Sequence, residues 1–368
     1  MQTTSPLTIG VLFGGRSGEH EVSLESARSV LAALDRKKYR IVEIGITKEG
    51  AWFSGENALE ALAAGNTVGL TPVTLLPDPT RPGLRDLQNG ERIAHLDVVF
   101  PVLHGTFGED GTLQGLLEMA DLAYVGPGVA GSAVGMDKDL FKAVMRANDI
   151  PVVDWVILRR SEIEKDIQKT LTHIETALNG HYPLFVKPAN LGSSVGITKC
   201  RTRSDLYEGL LEAARYDRRI LVEKGLNARE IEISVLGNDE PQASIPGEIR
   251  PAADFYTYEA KYHDDRSELL IPAPLPETES ERLRNLAVRA YKAIDCAGMA
   301  RVDFLLDRDT GQAYLNEVNT IPGFTQISMY PKLWEASGLP YAQLLDRLIT
   351  LALERKAERA KTIYRRES

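Results

Sequence analysis

Cysteine, long apolar runs and excess positive charge are all scarce in this chain of 368 residues. Only Cys200 and Cys296 occur, which argues against a disulfide framework and favours a reducing compartment. No run approaches the roughly 20 apolar residues of a membrane span, and the N-terminus lacks the basic and apolar segments of a signal peptide. The net charge of −9 argues against a nucleic-acid partner, since such readers carry a basic face. We therefore expect a soluble, cytoplasmic protein with neither nucleic acid nor membrane as partner.

The composition is that of a globular protein, and the length predicts two or three domains. An apolar strand at 7–13 (LTIGVLF) is followed by GGRSGEHE, by a helix that Ser23 is expected to cap, and by a strand at 39–47. This βαβ opening places the glycine loop at the carboxyl end of its strand, where open α/β sheets bind ligands. Glu19 in this loop is a candidate for holding a ligand amine. The alternative is a glutamate favoured only by the helix dipole.

A second strand, predicted at 96–103, runs into HGTFGEDG and then into a helix at 112–120. His104 lies where this strand ends, so a site role is favoured over a structural one. Residues 48–92 are rich in Pro, Gly and Ala and carry no chemical signal. They are predicted to be a variable connection.

The lysines of the next segment suggest an anionic ligand. Asp137 is predicted to cap a helix whose first turn holds Lys138, although a cation is unfavourable at a helix N-terminus unless an anion offsets it. A strand then ends at Lys187, followed by the loop 192–196 (GSSVG), whose backbone N–H groups could cradle phosphate oxygens. A polar hairpin turn is the alternative for this loop.

Carboxylates mark the strands that follow. A strand at 219–224 brings Glu223 to its end, where a carboxylate and an edge carbonyl could recognise a purine amino group and a ribose. Alternation along the next strand places Glu230 and Glu232 on one face. The polar, aromatic segment 255–265 is predicted to be an ordered loop over a site.

A hairpin is predicted within residues 299–319. Its alternation would place Arg301, Asp303, Glu317 and Asn319 on one surface. Such a group is costly to bury alone, and a hard divalent cation would offset that cost. A solvated hairpin face is the alternative.

Together these motifs resemble the D-alanine–D-alanine ligases, a family of ATP-grasp enzymes. GGRSGEHEVS, HGTFGEDGTLQG, MDKDLFK, VKPANLGSSVGI, YEAKY, RVDF and NEVNTIPGFT follow the family's order across most of the chain. The resemblance implies an α/β and α+β fold, with a Rossmann-like α/β domain followed by a two-part ATP-grasp domain. The implied domains are 1–136 for the first D-alanine, 137–222 with the phosphate loop, and 223–368 with the magnesium site and the covering loop.

The resemblance also assigns roles to individual residues. Those implied to bind ATP are Lys138, Lys187, Gly192, Ser193, Ser194, Val195, Glu223, Lys224, Leu226, Glu230 and Lys261. Those implied to hold two Mg²⁺ (or Mn²⁺) ions are Asp303, Glu317 and Asn319. Those implied to act on the substrates or the reacting atoms are Glu19, Ser193, Tyr262, Arg301, Gly323 and Ser328, and His104 joins them by its position.

The implied activity is ATP-dependent joining of two D-alanines through an acyl phosphate, with release of ADP and phosphate, for peptidoglycan precursor synthesis. Relatives are commonly dimers, so a homodimer is expected. The alternatives are a D-alanine–D-lactate ligase, another ATP-grasp carboxylate–amine ligase, and a nucleotide-binding module without activity. Lys261 and Tyr262 favour the dipeptide, because depsipeptide-forming relatives tend to carry a different loop there.

Overall fold

The structure is a computed structural model that describes residues 6–192, 195–250 and 268–364. Its strands form three sheets, each built from consecutive strands of the chain. The first sheet has eight strands: β1 (Leu7–Gly14), β2 (Tyr39–Ile46), β3 (Trp52–Ser54), β4 (Thr71–Leu75), β5 (Leu84–Asp86), β6 (Arg92–Ala94), β7 (Val98–Pro101) and β8 (Ala123–Tyr124). The helices among them and directly after are α1 (His20–Ala33), α2 (Ala58–Ala63), α3 (Thr112–Met119), α4 (Val129–Met136) and α5 (Lys138–Ala147).

Strand β1 lies inside the first sheet, whose order is β6-β5-β4-β3-β2-β1-β7-β8. It pairs in parallel with β2 and β7, and both of its faces are buried. Ile9, Val11 and Phe13 pack in one apolar cluster, whereas Leu12 packs in another on the opposite face. A strand covered on both sides needs a near-continuous apolar run, which explains LTIGVLF. The predicted first strand is confirmed.

Two predictions for this sheet are wrong. Helix α1 begins at His20, and Ser23 is inside it. The Ser23 hydroxyl accepts a hydrogen bond from the Gly14 N–H at 2.8 Å and donates to the Val102 carbonyl, so it ties two strand ends together instead of capping the helix. Residues 48–92 are not a mere connection, because they supply β3 to β6 and α2.

The second sheet is antiparallel, with the order β11-β10-β12-β9. Its strands are β9 (Trp155–Arg159), β10 (Leu184–Pro188), β11 (Thr198–Cys200) and β12 (Arg219–Lys224). Its helices are α6 (Arg160–Lys165), α7 (Ile167–Ala177) and α8 (Arg203–Tyr216). Because Lys187 is close to the end of β10 and Glu223 to the end of β12, this sheet sets the positions of two predicted nucleotide contacts.

The third sheet carries the predicted hairpin. Its strands are β13 (Ala228–Gly237), β14 (Gln242–Ala243), β15 (Gly247–Arg250), β16 (Glu268–Leu270), β17 (Gly298–Asp307) and β18 (Ala313–Asn319). The helices in this last part of the described chain are α9 (Glu277–Ala293), α10 (Met329–Ala336) and α11 (Tyr341–Arg359). Strand β17 pairs antiparallel with both β13 and β18, so the predicted hairpin is confirmed.

One face of the third sheet is apolar and the other is polar. Ile231, Ile233, Val302 and Phe304 pack into one buried cluster, together with Phe141 of α5. The side chains that alternate with them point the other way. The last two helices contribute instead to the cluster under β1, so the end of the chain packs back on the first sheet.

Both cysteines are buried free thiols, as expected. Within the described ranges, no helix has the length and apolarity needed to cross a membrane.

Candidate active site

The polar face of β17 and β18 brings the predicted metal-site residues together. Asp303 is opposite Glu317, and Arg301 is opposite Asn319. Arg301 donates to Oδ1 and Oδ2 of Asp303 at 2.8 and 2.7 Å. Its Nε also lies 3.0 Å from Oε2 of Glu232, across the sheet on β13. The predicted one-sided cluster is therefore present in the fold.

These charges keep Arg301 a permanent cation. Burial alone would lower the pKa of its guanidinium, but Asp303, Glu232 and Glu317 raise that pKa well above its usual value. A fixed cation beside carboxylates can stabilise negative charge that develops on a bound substrate.

The oxygen atoms of this face fit a hard divalent cation. The Asn319 amide donates to Oδ2 of Asp303 at 2.9 Å and to Oε1 of Glu317 at 3.3 Å, so the three side chains converge. Oxygen atoms are the ligands that Mg²⁺ prefers, with substrate phosphates completing its shell. Among the residues with described positions, no three His, Cys, Asp or Glu side chains form a metal cluster by themselves. A cation here would therefore depend on Asn319 and on the substrate.

A second group of charges surrounds Glu223 on β12. Lys142 Nζ lies 2.9 Å from Oε2 of Glu223, and Lys187 Nζ pairs with Oε1. Burial alone would raise the pKa of Glu223, but Lys142 and Lys187 outweigh it and lower the pKa to about 2. This carboxylate is therefore ionised at neutral pH.

Lys138 lies between the two groups of charges. Its Nζ donates to the Leu191 carbonyl at 2.6 Å, just before the phosphate loop. Burial lowers the pKa of Lys138, with Lys187 acting in the same direction, while Glu317 and Glu223 oppose the shift. Lys138 therefore interacts electrostatically with carboxylates of both the second and the third sheet.

The start of α5 is held in place by polar contacts. Asp137 accepts from the N–H groups of Asp139 and Leu140, so the predicted cap is confirmed. Arg219 of β12 contacts Asp137 at 2.5 Å and also contacts Asp139. This clamp fixes Lys138 relative to the second sheet.

Glu19 connects the two glycine loops of the first sheet with the phosphate loop. Its side chain is buried, although it makes no capping hydrogen bond to α1. A Cβ atom on Gly105 would lie 2.6 Å from Oε2 of Glu19, and one on Gly192 would lie 3.0 Å from it. Ser17 donates to the His104 carbonyl at 2.8 Å and so holds the two loops together. Glu19 is therefore placed against all three loops, as a group that binds a ligand amine would need to be.

His104 is buried with both ring nitrogens engaged. Its Nδ1 lies 3.0 Å from the Ile321 carbonyl, and its Nε2 lies 3.1 Å from Oγ of Ser26. Burial lowers its pKa against the opposing effect of Glu19, so the ring is neutral. Ser26 also accepts from the Phe324 N–H at 3.3 Å. In this state His104 ties the second loop to the segment that carries Gly323.

Gly323 and Ser328 face each other across a tight turn. A Cβ atom on Gly323 would lie 2.9 Å from Oγ of Ser328, so a larger residue would crowd that hydroxyl. The Ser328 hydroxyl accepts from the Thr325 N–H at 3.1 Å and lies 2.7 Å from the Thr325 hydroxyl.

The remaining predicted nucleotide residues lie around the ends of β12 and β13. Lys224 pairs with Asp154 at 3.1 Å, Leu226 is half-buried in the turn between the strands, and Glu230 shares a face with Glu232. Gly192 is half-buried, and its carbonyl accepts from the Val195 N–H at 3.3 Å. Ser193, Ser194, Lys261, Tyr262 and the predicted covering loop 255–265 lie outside the described residues.

Three residues of this region were not predicted from the sequence as site residues. Lys142 follows Lys138 by four positions, a spacing that places both on one helix face and could have identified it. Glu232 was placed on the right face but given no role. Buried Glu109 accepts a hydrogen bond from the Gly105 N–H at 2.8 Å. Burial is the main cause that raises its pKa well above the usual value, and the negative charge of Glu19 raises it further. Nothing in its loop sequence signals that burial.

Comparisons with known proteins agree with this geometry. The D-ala D-ala ligase N-terminus model matches residues 8–127, and the D-ala D-ala ligase C-terminus model matches residues 144–350. The D-alanine--D-alanine ligase of Natranaerobius thermophilus is 51% identical over 96% of each chain.

Solved structures show the same fold. The D-alanine-D-alanine ligase from Coxiella burnetii is 40% identical, with a TM-score of 0.84 over 97% of each chain. The VanG D-Ala:D-Ser ligase from Enterococcus faecalis is 37% identical, with a TM-score of 0.84 over 95% of this chain and 100% of that one. The predicted architecture, an α/β domain followed by a two-part ATP-grasp domain, is confirmed. The chain belongs to the D-alanine–D-alanine ligase family.

Proposed function

We propose that this protein joins two D-alanine molecules into D-alanyl-D-alanine, converts ATP to ADP and phosphate, and thereby supplies a peptidoglycan precursor. The observation that carries the proposal is the placement of Lys138. This lysine interacts electrostatically with Glu223 of the second sheet and with Glu317 of the third. Its Nζ also donates a hydrogen bond to the Leu191 carbonyl, beside the phosphate loop. A polyanion bound between these sheets would meet lysines on one side and a cation site on the other.

The nucleotide would lie between the second and third sheets. Its phosphates would be contacted by Lys138, Lys187 and Lys261, and by the loop from Gly192 to Val195, which includes Ser193 and Ser194. Glu223, Lys224 and Leu226 would line the adenine site, and Glu230 would bind the ribose. Asp303, Glu317 and Asn319 would hold two Mg²⁺ (or Mn²⁺) ions, which neutralise phosphate charge when bound.

The first step is phosphoryl transfer. Glu19 would hold the ammonium of the first D-alanine, whose carboxylate oxygen attacks the γ-phosphorus while the bond to ADP breaks. Lys138 and Lys187 would neutralise the transferring charge. Such transfer depends on positioning and charge neutralisation rather than on a covalent protein intermediate.

The second step forms the peptide bond. The second D-alanine, its carboxylate held by Ser328, loses one ammonium proton to bulk water as it binds; its amine then attacks the acyl carbon, and the next proton passes from the nitrogen to the leaving phosphate. Arg301 and the Gly323 N–H would stabilise the oxyanion, and phosphate leaves as the carbonyl re-forms. Tyr262 would hydrogen-bond with Ser193, and would thereby link closure of the covering loop to the site and exclude water from the acyl phosphate.

The test is phosphate release from ATP and Mg²⁺, with products identified by mass. The mixtures are D-alanine alone, L-alanine alone, and D-alanine with either D-lactate or D-serine. Release with D-alanine alone, giving the dipeptide, is expected. Release only after D-lactate or D-serine is added would move the acceptor while keeping the phosphoryl-transfer step. No release in any mixture would refute the proposal.

Three further features are part of this proposal. The domains would be 1–136, 137–222 and 223–368, which follow the three sheets except that β12 of the second sheet continues to Lys224. The protein would act in the cytoplasm, where ATP is available, and would form a homodimer. Sedimentation of the purified protein would test the dimer.

A further inference from the structure

Lys142 on α5 is buried and separated from solvent by its neighbours. Its side chain is 2% exposed, compared with 13% for Lys187. Its Nζ lies 2.9 Å from Oε2 of Glu223 and 5.9 Å from the centre of the Trp155 ring. Because its ammonium is enclosed, Lys142 acts on a ligand only through the groups that it contacts.

The contact with Glu223 is arranged as a three-membered charge group. One oxygen of the carboxylate faces Lys142, and the other faces Lys187. Burying a lysine is costly, and burial does lower the pKa of Lys142 despite the opposing charge of Glu223. A cost of this kind, next to the proposed adenine site, suggests a role beyond packing.

We propose that Lys142 is a positioning residue for nucleotide binding, which fixes the carboxylate of Glu223 so that Lys187 keeps its place at the site. With Lys142 present, Glu223 has one oxygen for each lysine. Without it, the carboxylate oxygen that faces Lys142 is left buried without its opposing charge, and the carboxylate and Lys187 are free to rearrange around each other. This inference rests on the proposed function only in taking the ligand to be a nucleotide.

The position of Lys142 on α5 supports this role. Lys138 and Lys142 lie on one face of the helix, and Arg219 clamps the helix start to β12 through Asp137. Glu223 lies on the same strand as Arg219. Helix α5 and strand β12 are thus joined by two contacts, Asp137 with Arg219 and Lys142 with Glu223. The second of these lies nearer the proposed adenine site.

The test is a double-mutant cycle on the full-length protein. The variants are Lys142→Met, Glu223→Gln and the double variant, with ADP affinity measured by calorimetry and KM measured for ATP and for D-alanine. We expect Lys142→Met to weaken ADP binding and raise KM for ATP by about tenfold, while KM for D-alanine changes little. In the Glu223→Gln background the same change is expected to have little further effect, because its target is already altered.

Two comparisons separate positioning from general destabilisation. Lys169→Met makes the same substitution at an exposed helical lysine and is expected to leave ADP affinity unchanged. Lys142→Arg keeps a cation and is expected to bind ADP better than Lys142→Met. Circular dichroism at the assay temperature verifies that each variant is folded, and Lys142→Gln replaces Lys142→Met if the latter does not fold.

Two outcomes would overturn the inference. One is unchanged ADP affinity in a folded Lys142→Met protein, and the other is equal losses with and without Glu223→Gln. These outcomes are distinct from failure of the proposed function, which would appear as absent phosphate release in the wild-type protein. Because ADP binding requires no alanine, the cycle still gives an answer if the amino-acid substrates are different.

Discussion

Asp303 and Glu317 lie directly opposite each other in the antiparallel pair of β17 and β18. The Asn319 amide bridges them, at 2.9 and 3.3 Å. Two facing carboxylates repel each other, and Arg301 donates two hydrogen bonds to Asp303. A divalent cation bound by both carboxylates would relieve the repulsion between them.

Glu317→Gln should therefore weaken binding of the metal ion on which the reaction depends. The amide keeps the shape of the side chain but removes its charge, so we expect the Mg²⁺ concentration for half-maximal rate to rise about tenfold or more. Phosphate release measured against Mg²⁺ concentration gives the comparison, with Glu335→Gln, an exposed carboxylate, as control. An unaltered Mg²⁺ titration would show that Glu317 is not a metal ligand.

Glu19→Ala should weaken binding of D-alanine and leave nucleotide binding unchanged. A hydrogen bond between a buried carboxylate and an ammonium contributes about 1.5–3 kcal/mol, so KM for D-alanine should rise by roughly 10- to 100-fold. ADP affinity should stay near the wild-type value. Glu21→Ala changes a neighbouring glutamate that is exposed and pairs with Lys48, so it serves as the control. Loss of ADP binding in Glu19→Ala would contradict this role.

The sequence predicts best where a periodic pattern and a short motif agree. The alternation around Arg301 and Asp303 predicted the strand, its polar face and its partner strand, because side-chain direction in a strand has a period of two. Asp137 was predicted as a cap because its side chain acts on the next few residues, which are visible in the sequence.

Long-range contacts are harder to predict from a single sequence. Ser23 resembles a helix cap locally, but its hydroxyl bonds to Gly14 and to the distant Val102. Lys142 was overlooked because its partner, Glu223, lies far along the chain, on β12. Glu109 likewise has a long-range neighbour in Glu19, whose charge helps to raise the pKa of the Glu109 carboxyl.

His104 should make the folded state less stable in mild acid. Burial holds its pKa below the ordinary value of 6.5, so the unfolded chain takes up a proton as the pH falls through 6.5 while the folded protein does not. This contribution is fully present above pH 6.5 and is lost as the pH falls toward the lower pKa of the folded state. The free energy of unfolding of the wild type should therefore drop between pH 7 and pH 5 more than that of His104→Gln.

Denaturant unfolding at several pH values measures this difference. Glu19, whose charge favours protonation of His104, and the other titrating groups are common to both proteins and largely cancel in the comparison. His173→Gln, at an exposed position of α7, is the control and should retain the wild-type slope. Parallel curves for the wild type and His104→Gln would show that His104 does not titrate differently on unfolding.

Phe324 should be a large contributor to stability, because its ring fills the core between the first sheet and the C-terminal helices. It is fully buried, with Phe100 edge-on at 6.0 Å and Tyr330 at 5.4 Å between ring centres. Phe324→Ala should lower the free energy of unfolding by about 3–5 kcal/mol, and Phe324→Leu by less, because the smaller cavity keeps more contacts. Tyr364→Ala, at an exposed ring, should change it by no more than about 0.5 kcal/mol. Since Phe324 follows Gly323 directly, Phe324→Ala should also lower kcat in protein that is still folded; a normal kcat would mean that the Gly323 turn holds its shape without the ring beneath it.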